Sequence, residues 1–364
     1  MKSVAVFFGG RSVEHDVSII TGVLTLNSID KQKYNVLPVY VDKDGKWLTG
    51  DVLKDIDGYK ELNYKKLKRV VLLGGENVLY AVKGKRLVKL AEISCAINCM
   101  HGGDGENGAL IGVLRLSGVA CASPDILTSS VCMDKRFTKT VMKGLKVKAL
   151  PYKILTAVEQ IKEFKPTDYP LFVKPNLGGS SVGATRVERE DELGRAVSYA
   201  LSFGAEVIVE PALSDFIEIN CAGYRLSDGS VKVSECERPI GRTDTLSFSD
   251  KYEGGKRIFP ADIDKAQADK IKSITKRVYE KLGCSGVIRI DFFIKDDEIF
   301  LNEVNTVPGS LAYYLFGDTL KSFSGMIDQL IATAELKFNK ERSIKSEFKS
   351  GILAFSGCKG AKRL

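Results

Sequence analysis

Several residue types and patterns are scarce in this 364-residue chain, and each scarcity argues against a class of function. Only two histidines occur, His15 and His101, so we expect no zinc or iron site built from histidine, and any metal would be a hard cation on oxygen ligands. No apolar stretch approaches the roughly 18 residues that span a bilayer. Glu14 and Asp16 directly follow the first apolar run, which therefore predicts a β-strand and not a secretion signal. We expect a cytoplasmic protein that does not enter a membrane.

The eight cysteines contain no CxxC pair, and Cys95 and Cys99 lie four residues apart. Without an export signal, buried reduced thiols are favoured over disulfides. The formal net charge is +8, and much of the excess lies in "NYKKLKR" (63–69) and "GCKGAKRL" (357–364). Neither run interleaves basic residues with aromatics as binders of single strands do, so both favour solvated surface over nucleic-acid binding. Small anionic substrates remain the expected partners.

Strand and helix patterns alternate in the N-terminal third of the chain. Apolar runs predict strands at "SVAVFF" (3–8), "NVLPVYV" (35–41) and "CAINCM" (95–100), and helical spacing predicts helices at 13–29 and 109–118. Such alternation is typical of a parallel sheet covered by helices on both faces. The length allows two or three domains.

Two further α/β regions are predicted after "SPDILTSS". The second region has a helix around "CMDKRFTKTVMK" (132–143), strands at "YKIL", "DYPLFVKP", "SVGATRV" and "EVIVEP", and a helix at 190–202. The third has strands near 217–225 and 230–235, a helix at 264–282, and two strands joined by "KDDE". We expect an N-terminal α/β domain at 1–124, further domains at 125–212 and 213–340, and a basic tail at 341–364.

Charged residues interrupt the last two predicted strands. Arg289 and Asp291 lie two apart in "GVIRIDFFI", as do Glu303 and Asn305 in "EIFLNEVNT", so each pair faces one side of its strand. The short connection predicts a hairpin that could place the two pairs side by side. Two carboxylates and an amide oxygen suit Mg²⁺, and a structural Arg–Asp–Glu network at a sheet edge is an equal alternative.

A loop rich in glycine and serine follows Lys174. "VKPNLGGSSVG" (173–183) is not a Walker P-loop, in which the lysine follows the second glycine. Glycines let backbone N–H groups approach an anion closely, so this loop, a lysine and an oxygen cage together indicate a triphosphate site. Taken alone, the loop would more often be a plain hairpin turn.

Seven motifs occur in order over about residues 4–335: "FGGRSVEHDVS", "HGGDGENGALIG", "CMDKRFTK", "VKPNLGGSSVG", "DKYEGG", "GVIRIDF" and "LNEVNTVPGS". Together they resemble the D-alanine–D-alanine ligases of the ATP-grasp fold. The resemblance implies a three-domain α/β ligase that joins two D-alanines for peptidoglycan precursor synthesis. ATP would phosphorylate the first carboxylate, and the second amine would attack the acyl phosphate. The resemblance also implies two Mg²⁺ ions, with Mn²⁺ as an alternative, and a homodimer.

The resemblance implies roles on the nucleotide side. Lys135 and Lys174 would bind the phosphates, and residues 176–183, with Gly178, Gly179 and Ser181, would form a flap over the triphosphate. Glu210 would bind the adenine amino group, and Glu218 would bind the ribose. Asp291, Glu303 and Asn305 would hold the metal ions. Glu218 lies eight residues after Glu210, where the family has seven, so its role requires an inserted residue or a bulge.

The resemblance also implies roles on the substrate side. Glu14 and Glu106 would receive the ammonium of the first D-alanine beside His101, although alone each glutamate would more often be a helix N-terminal charge and His101 an ordinary loop residue. Arg289 and the backbone near Gly309 would form an oxyanion site. Lys251 and Tyr252 would be a mobile-loop pair, whose tyrosine reaches Ser180 and Glu14.

The acceptor is the least determined part of the interpretation. The family binds the acceptor's carboxylate with a serine hydroxyl and the next backbone N–H, and those positions are Tyr314 and Leu315 here, with Tyr313 and Ser310 as substitutes. We expect D-alanine as the acceptor, bound more weakly than usual, and D-serine or D-lactate as alternatives. A non-catalytic nucleotide-binding relative is a further alternative, which the presence of Arg289 argues against.

Overall fold

The computed structural model describes residues 1–164, 168–241 and 256–350. These residues form three β-sheets and a separate two-stranded ribbon, together with helices. Lys251 and Tyr252 lie outside the described residues, as do residues 351–364 of the predicted basic tail. Across the described part of the chain, no helix combines the length and the apolar character needed to cross a membrane.

The first sheet contains the predicted parallel strands and four strands that were not predicted. Its elements are β1 (Lys2–Gly9), α1 (His15–Ser28), β2 (Tyr34–Val41), β3 (Trp47–Thr49), β4 (Lys68–Leu73), β5 (Glu76–Lys83), β6 (Arg86–Asn98), α2 (Gly103–Glu106), α3 (Ala109–Leu116) and β7 (Ala120–Cys121). The strands that were not predicted are β3, β4, β5 and β7. β1 pairs in parallel with β2 and β6, and β6 with β7. β3, β4 and β5 continue antiparallel from β2 back to β6. Only a few residues of these three strands are buried, among them Leu48, Val70 and Leu79, so their apolar pattern is weak.

The second sheet is antiparallel, unlike the parallel strands predicted for the N-terminal domain. Its region contains α4 (Ile126–Met133), α5 (Lys135–Gly144), β8 (Lys153–Leu155), α6 (Ile161–Phe164), β9 (Leu171–Pro175), β10 (Thr185–Val187), α7 (Glu190–Leu201) and β11 (Val207–Pro211). The strand order is β10-β9-β11-β8. The single helix predicted around 132–143 is two helices, because Asp134 leaves helical geometry and caps α5 by accepting a hydrogen bond from the Phe137 N–H.

The third sheet is also antiparallel, with strand order β13-β12-β16-β17. Its region contains β12 (Ile217–Arg225), β13 (Val231–Val233), β14 (Arg238–Ile240), β15 (Lys256–Ile258), α8 (Lys265–Lys281), β16 (Val287–Lys295), β17 (Glu298–Asn305) and α9 (Leu320–Arg342). β14 and β15 form the separate ribbon. A 3-10 turn at Gly309–Leu315 connects β17 towards α9.

The predicted hairpin between β16 and β17 is confirmed. Asp296 and Asp297 both have left-handed φ angles, 48° and 62°, as a tight two-residue turn requires. The register pairs Arg289 with Asn305 and Asp291 with Glu303. The four polar residues of the predicted constellation therefore lie on neighbouring positions of two adjacent strands.

Both faces of β1 are buried, which explains why its sequence is apolar without alternation. Val4, Val6 and Phe8 belong to one core, and Ala5 and Phe7 belong to another. The first core also contains residues of α1 and of α9. The chain thus returns from the third sheet to complete the core of the first, and this return brings the loops of both regions together.

Candidate active site

Two adjoining cavities gather most of the predicted site residues. The first is lined by Lys135, Lys174, Gly178, Gly179, Ser180, Ser181, Glu210, Glu218 and Glu303. The second is lined by Glu14, His101, Glu106, Arg289, Glu303, Asn305, Gly309, Ser310 and Tyr314. Lys135, Glu218, Glu303 and residues 178–180 line both cavities, so the two meet at the start of α5.

The loop at 176–183 is held against the first turn of α5. Lys135 Nζ donates to the Gly178 carbonyl oxygen at 2.6 Å. The buried Asn176 accepts from the Arg136 N–H at 3.1 Å through Oδ1 and donates to Glu206 at 3.1 Å through Nδ2. These contacts place the loop over the first cavity, where its backbone can approach an anion.

Backbone geometry makes glycine necessary at one end of this loop. Gly183 has φ +76°, and a Cβ there would lie 2.7 Å from Phe203 Cδ2 and 2.9 Å from Pro175 Cγ. Ser180 and Ser181 also have positive φ angles, 52° and 58°. The loop therefore follows a tight path that few other sequences could adopt.

The Ser180 hydroxyl donates a hydrogen bond to the Glu14 carboxylate, which joins the loop to the start of α1. Glu14 occupies the N-cap position of α1 but makes no side-chain capping hydrogen bond. Glu14 is buried, and Gly179 lies close enough that a Cβ there would be 3.1 Å from its carboxylate. The side chain of Glu14 is thus directed into the site and does not cap its helix.

Glu106 lies in the same pocket and accepts two backbone hydrogen bonds. Gly102 N–H donates to it at 2.9 Å and Val307 N–H at 3.1 Å. Burial, and secondarily the nearby Glu14 carboxylate, raise the pKa of Glu106 to about 8. Two carboxylates that repel each other in this way favour a cation between them.

His101 is a buried, neutral member of the pocket wall. Burial lowers the pKa of His101 to about 4. Its Nε2 lies 2.8 Å from Thr21 Oγ1, which accepts a hydrogen bond from the Ser310 N–H at 3.0 Å. A threonine hydroxyl can both donate and accept, so Thr21 links His101 to the turn at 309–315 whichever ring nitrogen of His101 carries the proton.

Lys174 belongs to a buried ion-pair group that the sequence did not reveal. The Glu210 carboxylate is ion-paired to Lys174 at 2.8 Å and to Lys139 at 2.5 Å. Burial would raise the pKa of Glu210, but the two ammonium groups outweigh burial and lower it. Glu210 therefore lies in the predicted cavity but binds two lysines, a contact that its implied adenine role did not foresee.

Three polar side chains of the β16–β17 hairpin, Arg289, Asp291 and Asn305, form a hydrogen-bonded network, whereas the expected alternative to a metal cage was an Arg–Asp–Glu network. Arg289 donates to both Asp291 oxygens, at 2.7 and 2.8 Å, and Asn305 Nδ2 donates to Asp291 at 3.1 Å. Asp291 is almost fully buried and does not line either cavity, whereas Glu303 and Asn305 do. Arg289 also lines the second cavity, where it could meet a developing negative charge.

A β-bulge in this hairpin adds a contact to the nucleotide side. The pairing shifts after Asp291, so Asn302 is the extra residue of β17. Its Oδ1 accepts a hydrogen bond from Lys174 Nζ at 3.2 Å. Because of the bulge, the side-chain amide of Asn302 points towards Lys174, which it would not do in a regular strand.

The turn at 309–315 has unusual backbone geometry. Ser310, Leu311 and Ala312 all have φ angles near 50°, in the left-handed region. Tyr314 lines the second cavity, and Arg257 lies over its ring at 4.9 Å from the centroid. The side chain of Leu315 packs in the core of the first sheet and lines neither cavity, so only its backbone could contribute to a site.

Comparisons with known proteins agree with this geometry. A family model described as D-ala D-ala ligase N-terminus matches residues 3–124, and one described as D-ala D-ala ligase C-terminus matches residues 142–333. The D-alanine–D-alanine ligase of Thermosipho melanesiensis is 35% identical over 94% of this chain and 96% of its own length. This chain belongs to the D-alanine–D-alanine ligase family.

Other members of the family are similar over nearly their whole length. The D-alanine–D-alanine ligase of Clostridium acetobutylicum is 33% identical and covers 93% of this chain and 99% of its own. Two solved structures superpose well. The Helicobacter pylori D-alanine–D-alanine ligase has a TM-score of 0.77 at 28% identity, covering 92% of this chain and 98% of its own. The VanG D-Ala:D-Ser ligase of Enterococcus faecalis has a TM-score of 0.78 at 27% identity, covering 92% and 99%.

The ATP-grasp fold expected from the family motifs is confirmed, and the members of this family are ATP-dependent ligases. Four residues of the site were missed by sequence reasoning: Thr21, Lys139, Asn302 and Arg257. Lys139 lies within the "CMDKRFTK" motif, so a lysine on the buried face of a predicted helix was a usable signal. The others depend on contacts between separate elements.

Proposed function

We propose that this chain joins two D-alanines to D-alanyl-D-alanine in the cytoplasm, for peptidoglycan precursor synthesis. The γ-phosphoryl group of ATP moves to the carboxylate of the first D-alanine, and ADP leaves. The amine of the second D-alanine attacks the acyl phosphate, loses a proton and expels phosphate. The observation that supports this most is the meeting of the two cavities at Lys135 and residues 178–180. A phosphoryl group bound in one cavity would face a carboxylate bound in the other.

The first cavity would take the nucleotide. Lys135 and Lys174 would neutralise phosphate oxygens, and residues 176–183 with Gly178, Gly179 and Ser181 would cover the triphosphate. Glu218 lines this cavity, as its implied contact with the ribose requires. Glu210 would hold Lys174 in place, and its carboxylate can accept a further hydrogen bond from the adenine amino group.

Magnesium, as two ions, would be held with Glu303 and Asn305 as ligands, because carboxylate and amide oxygens suit this hard cation. Manganese would be an alternative ion. Among the described residues, no three His, Cys, Asp or Glu side chains are grouped to hold a metal. Phosphate oxygens of the nucleotide would supply further ligands, as Mg²⁺ commonly has at such sites. Asp291 fits the donor set by type, although Arg289 donates to both its oxygens and Asp291 lines neither cavity. The ions would neutralise the charge of the triphosphate during phosphoryl transfer.

The second cavity would take the amino acids. Glu14 and Glu106 would bind the ammonium of the donor, and His101 and Thr21 would support the turn at 309–315. Arg289 and the backbone near Gly309 would stabilise the oxyanion of the tetrahedral intermediate. Tyr314, Leu315 and Ser310 would border the acceptor. Lys251 and Tyr252 would close the site, which would protect the acyl phosphate from water.

We also propose the division into 1–124, 125–212 and 213–340 and a homodimeric state. The experiment that tests the activity is product analysis by mass spectrometry with ATP, magnesium and D-alanine, together with measurement of ADP release. D-serine and D-lactate are then offered beside D-alanine. ADP release that requires D-alanine, with D-alanyl-D-alanine as the main product, is expected. ATP binding without ADP release would instead support a non-catalytic relative.

A further inference from the structure

The β14–β15 ribbon forms one wall of the second cavity. Pro239 and Ile240 from β14 and Lys256 and Arg257 from β15 line it. The carboxylates Glu14 and Glu106 come from the loops of the first sheet, whereas the cations Arg257 and Lys256 come from the ribbon. The ribbon therefore gives this wall of the cavity positive charge, which suits the carboxylate of a bound amino acid.

Arg257 is held in place by a buried carboxylate. Its Nη1 donates to Glu237 Oε1 at 3.1 Å, and Glu237 is almost fully buried. Asn220 Nδ2 donates to the other oxygen of Glu237 at 3.3 Å. This chain of contacts from β12 to the ribbon limits the freedom of the guanidinium group, so a ligand need not order it.

The guanidinium group also stacks on an aromatic ring of the cavity wall. Arg257 lies over the Tyr314 ring at 4.9 Å from its centroid, a distance typical of cation–π contact. Within the described residues its one ion pair uses a single nitrogen, Nη1. Because a guanidinium group has five N–H donors in a planar fork, it can also bind a carboxylate through a second edge.

We propose that Arg257, held by Glu237 against Tyr314, binds the carboxylate of the acceptor amino acid. The inference rests on the proposed function, since it deepens the recognition of the second substrate. Tyr314 stands where the family uses a serine, and Arg257 supplies a charged donor beside that position. The acceptor therefore needs a free carboxylate, and its amide derivative is a poor ligand.

The test compares two dipeptides that differ only at the carboxyl end, D-alanyl-D-alanine and D-alanyl-D-alaninamide. Isothermal titration calorimetry on the full chain with ADP and magnesium gives the ratio of their Kd values. We expect the wild type to bind the carboxylate form at least about tenfold more tightly. Arg257→Gln should reduce this ratio to near one, and Arg257→Lys should give an intermediate ratio, because it keeps the charge but loses the fork.

Arg238→Gln is the matched control, since Arg238 lies on the same ribbon and pairs with Asp262 outside the cavity. It should keep the wild-type ratio. A wild-type ratio in Arg257→Gln, or an equal loss in Arg238→Gln, overturns the inference. A ratio is insensitive to a partial loss of folded protein, and the ADP affinity of each variant reports on its fold. Absence of ADP release from the wild type with D-alanine would instead overturn the proposed function.

Discussion

At the scale of single residues, Glu106 has the most consequential environment. Its pKa is raised to about 8 by burial and by Glu14, so it carries a proton at pH 7 in the protein without substrate. Because the pKa of Glu106 is higher in the folded protein, this group contributes most to stability below pH 4.5, which is its ordinary pKa. The contribution is lost as the pH rises through about 8. The folded protein is thus more stable when Glu106 is neutral, whereas the pocket binds a cation more strongly when Glu106 is ionised.

We predict that D-alanine binding near pH 7 releases protons. An ammonium beside Glu106 lowers the pKa of its carboxyl group, and the proton leaves to the buffer. Isothermal titration calorimetry in two buffers of different ionisation enthalpy measures this release as a difference in apparent enthalpy. Glu106→Gln, which has no titrating group there, should bind D-alanine with little dependence on the buffer. Equal buffer dependence in the variant and the wild type would contradict the assignment.

At the scale of elements, the loop between β9 and β10 depends on one glycine. We predict that Gly183→Ala destabilises the protein by about 2–4 kcal/mol, because it adds overpacking against Pro175 and Phe203 to the strain of a positive φ angle. Urea unfolding measures the change. Gly229→Ala is the control, since Gly229 has φ +89° but no atom within 4 Å of its added Cβ.

Gly229→Ala should lower the free energy of unfolding only by the strain of its positive φ angle, roughly 1–2 kcal/mol. Equal losses in the two variants would mean that the loop moves aside without cost. In that case the path of residues 176–183 would not depend on its contacts with Pro175 and Phe203.

Helix α5 places Lys139 one turn after Lys135 and thereby completes the ion-pair group. We predict that Lys139→Met lowers the free energy of unfolding by roughly 3–5 kcal/mol, since it leaves Glu210 with a single cation in a buried position. Glu210 would also bind Lys174 more strongly, so the KM for ATP should rise while the KM for D-alanine changes little. Urea unfolding and steady-state kinetics test both effects.

Lys143→Met is the matched control on the same helix, because Lys143 is exposed. It should change stability by no more than about 0.5 kcal/mol. If Lys139→Met raised the KM values of ATP and D-alanine equally, its effect would be on the fold as a whole and not on the nucleotide site.

At the scale of the whole molecule, the first sheet depends on the far end of the chain. Phe323, Met326 and Ile327 of α9 share a core with Val4 and Val6 of β1. We predict that a fragment of residues 1–124 does not fold alone, because one face of its sheet would expose this apolar surface to water. Circular dichroism and thermal unfolding would show no cooperative transition.

A peptide of residues 319–343, added in excess, should restore a cooperative transition. The matched control is the same peptide with Phe323→Ala and Ile327→Ala, which lacks two of the core contacts. Cooperative unfolding of the fragment without any peptide would contradict the prediction and would support residues 1–124 as an independent domain.

The sequence alone predicted the elements that have a strong local pattern. β1, β2, α1 and the β16–β17 hairpin were located within a few residues, because continuous burial, helical spacing and period-two alternation are properties of neighbouring residues. The ordered motifs also indicated the family and most, but not all, of the polar side chains that line the two cavities. The half-buried β4–β5 hairpin has no such pattern and was missed.

Tertiary structure decided which groups are in contact. Glu210 binds Lys139 and Lys174 because α5 and two strands meet there, and Asn305 donates to Asp291 because the hairpin's register places the two strands side by side. The contact of Arg257 with Tyr314 depends on a ribbon that forms one wall of the second cavity. A local pattern determines on which face of an element a residue lies. Only the packing of elements that are distant in sequence determines the charge that each side chain meets, and therefore its pKa and its chemistry.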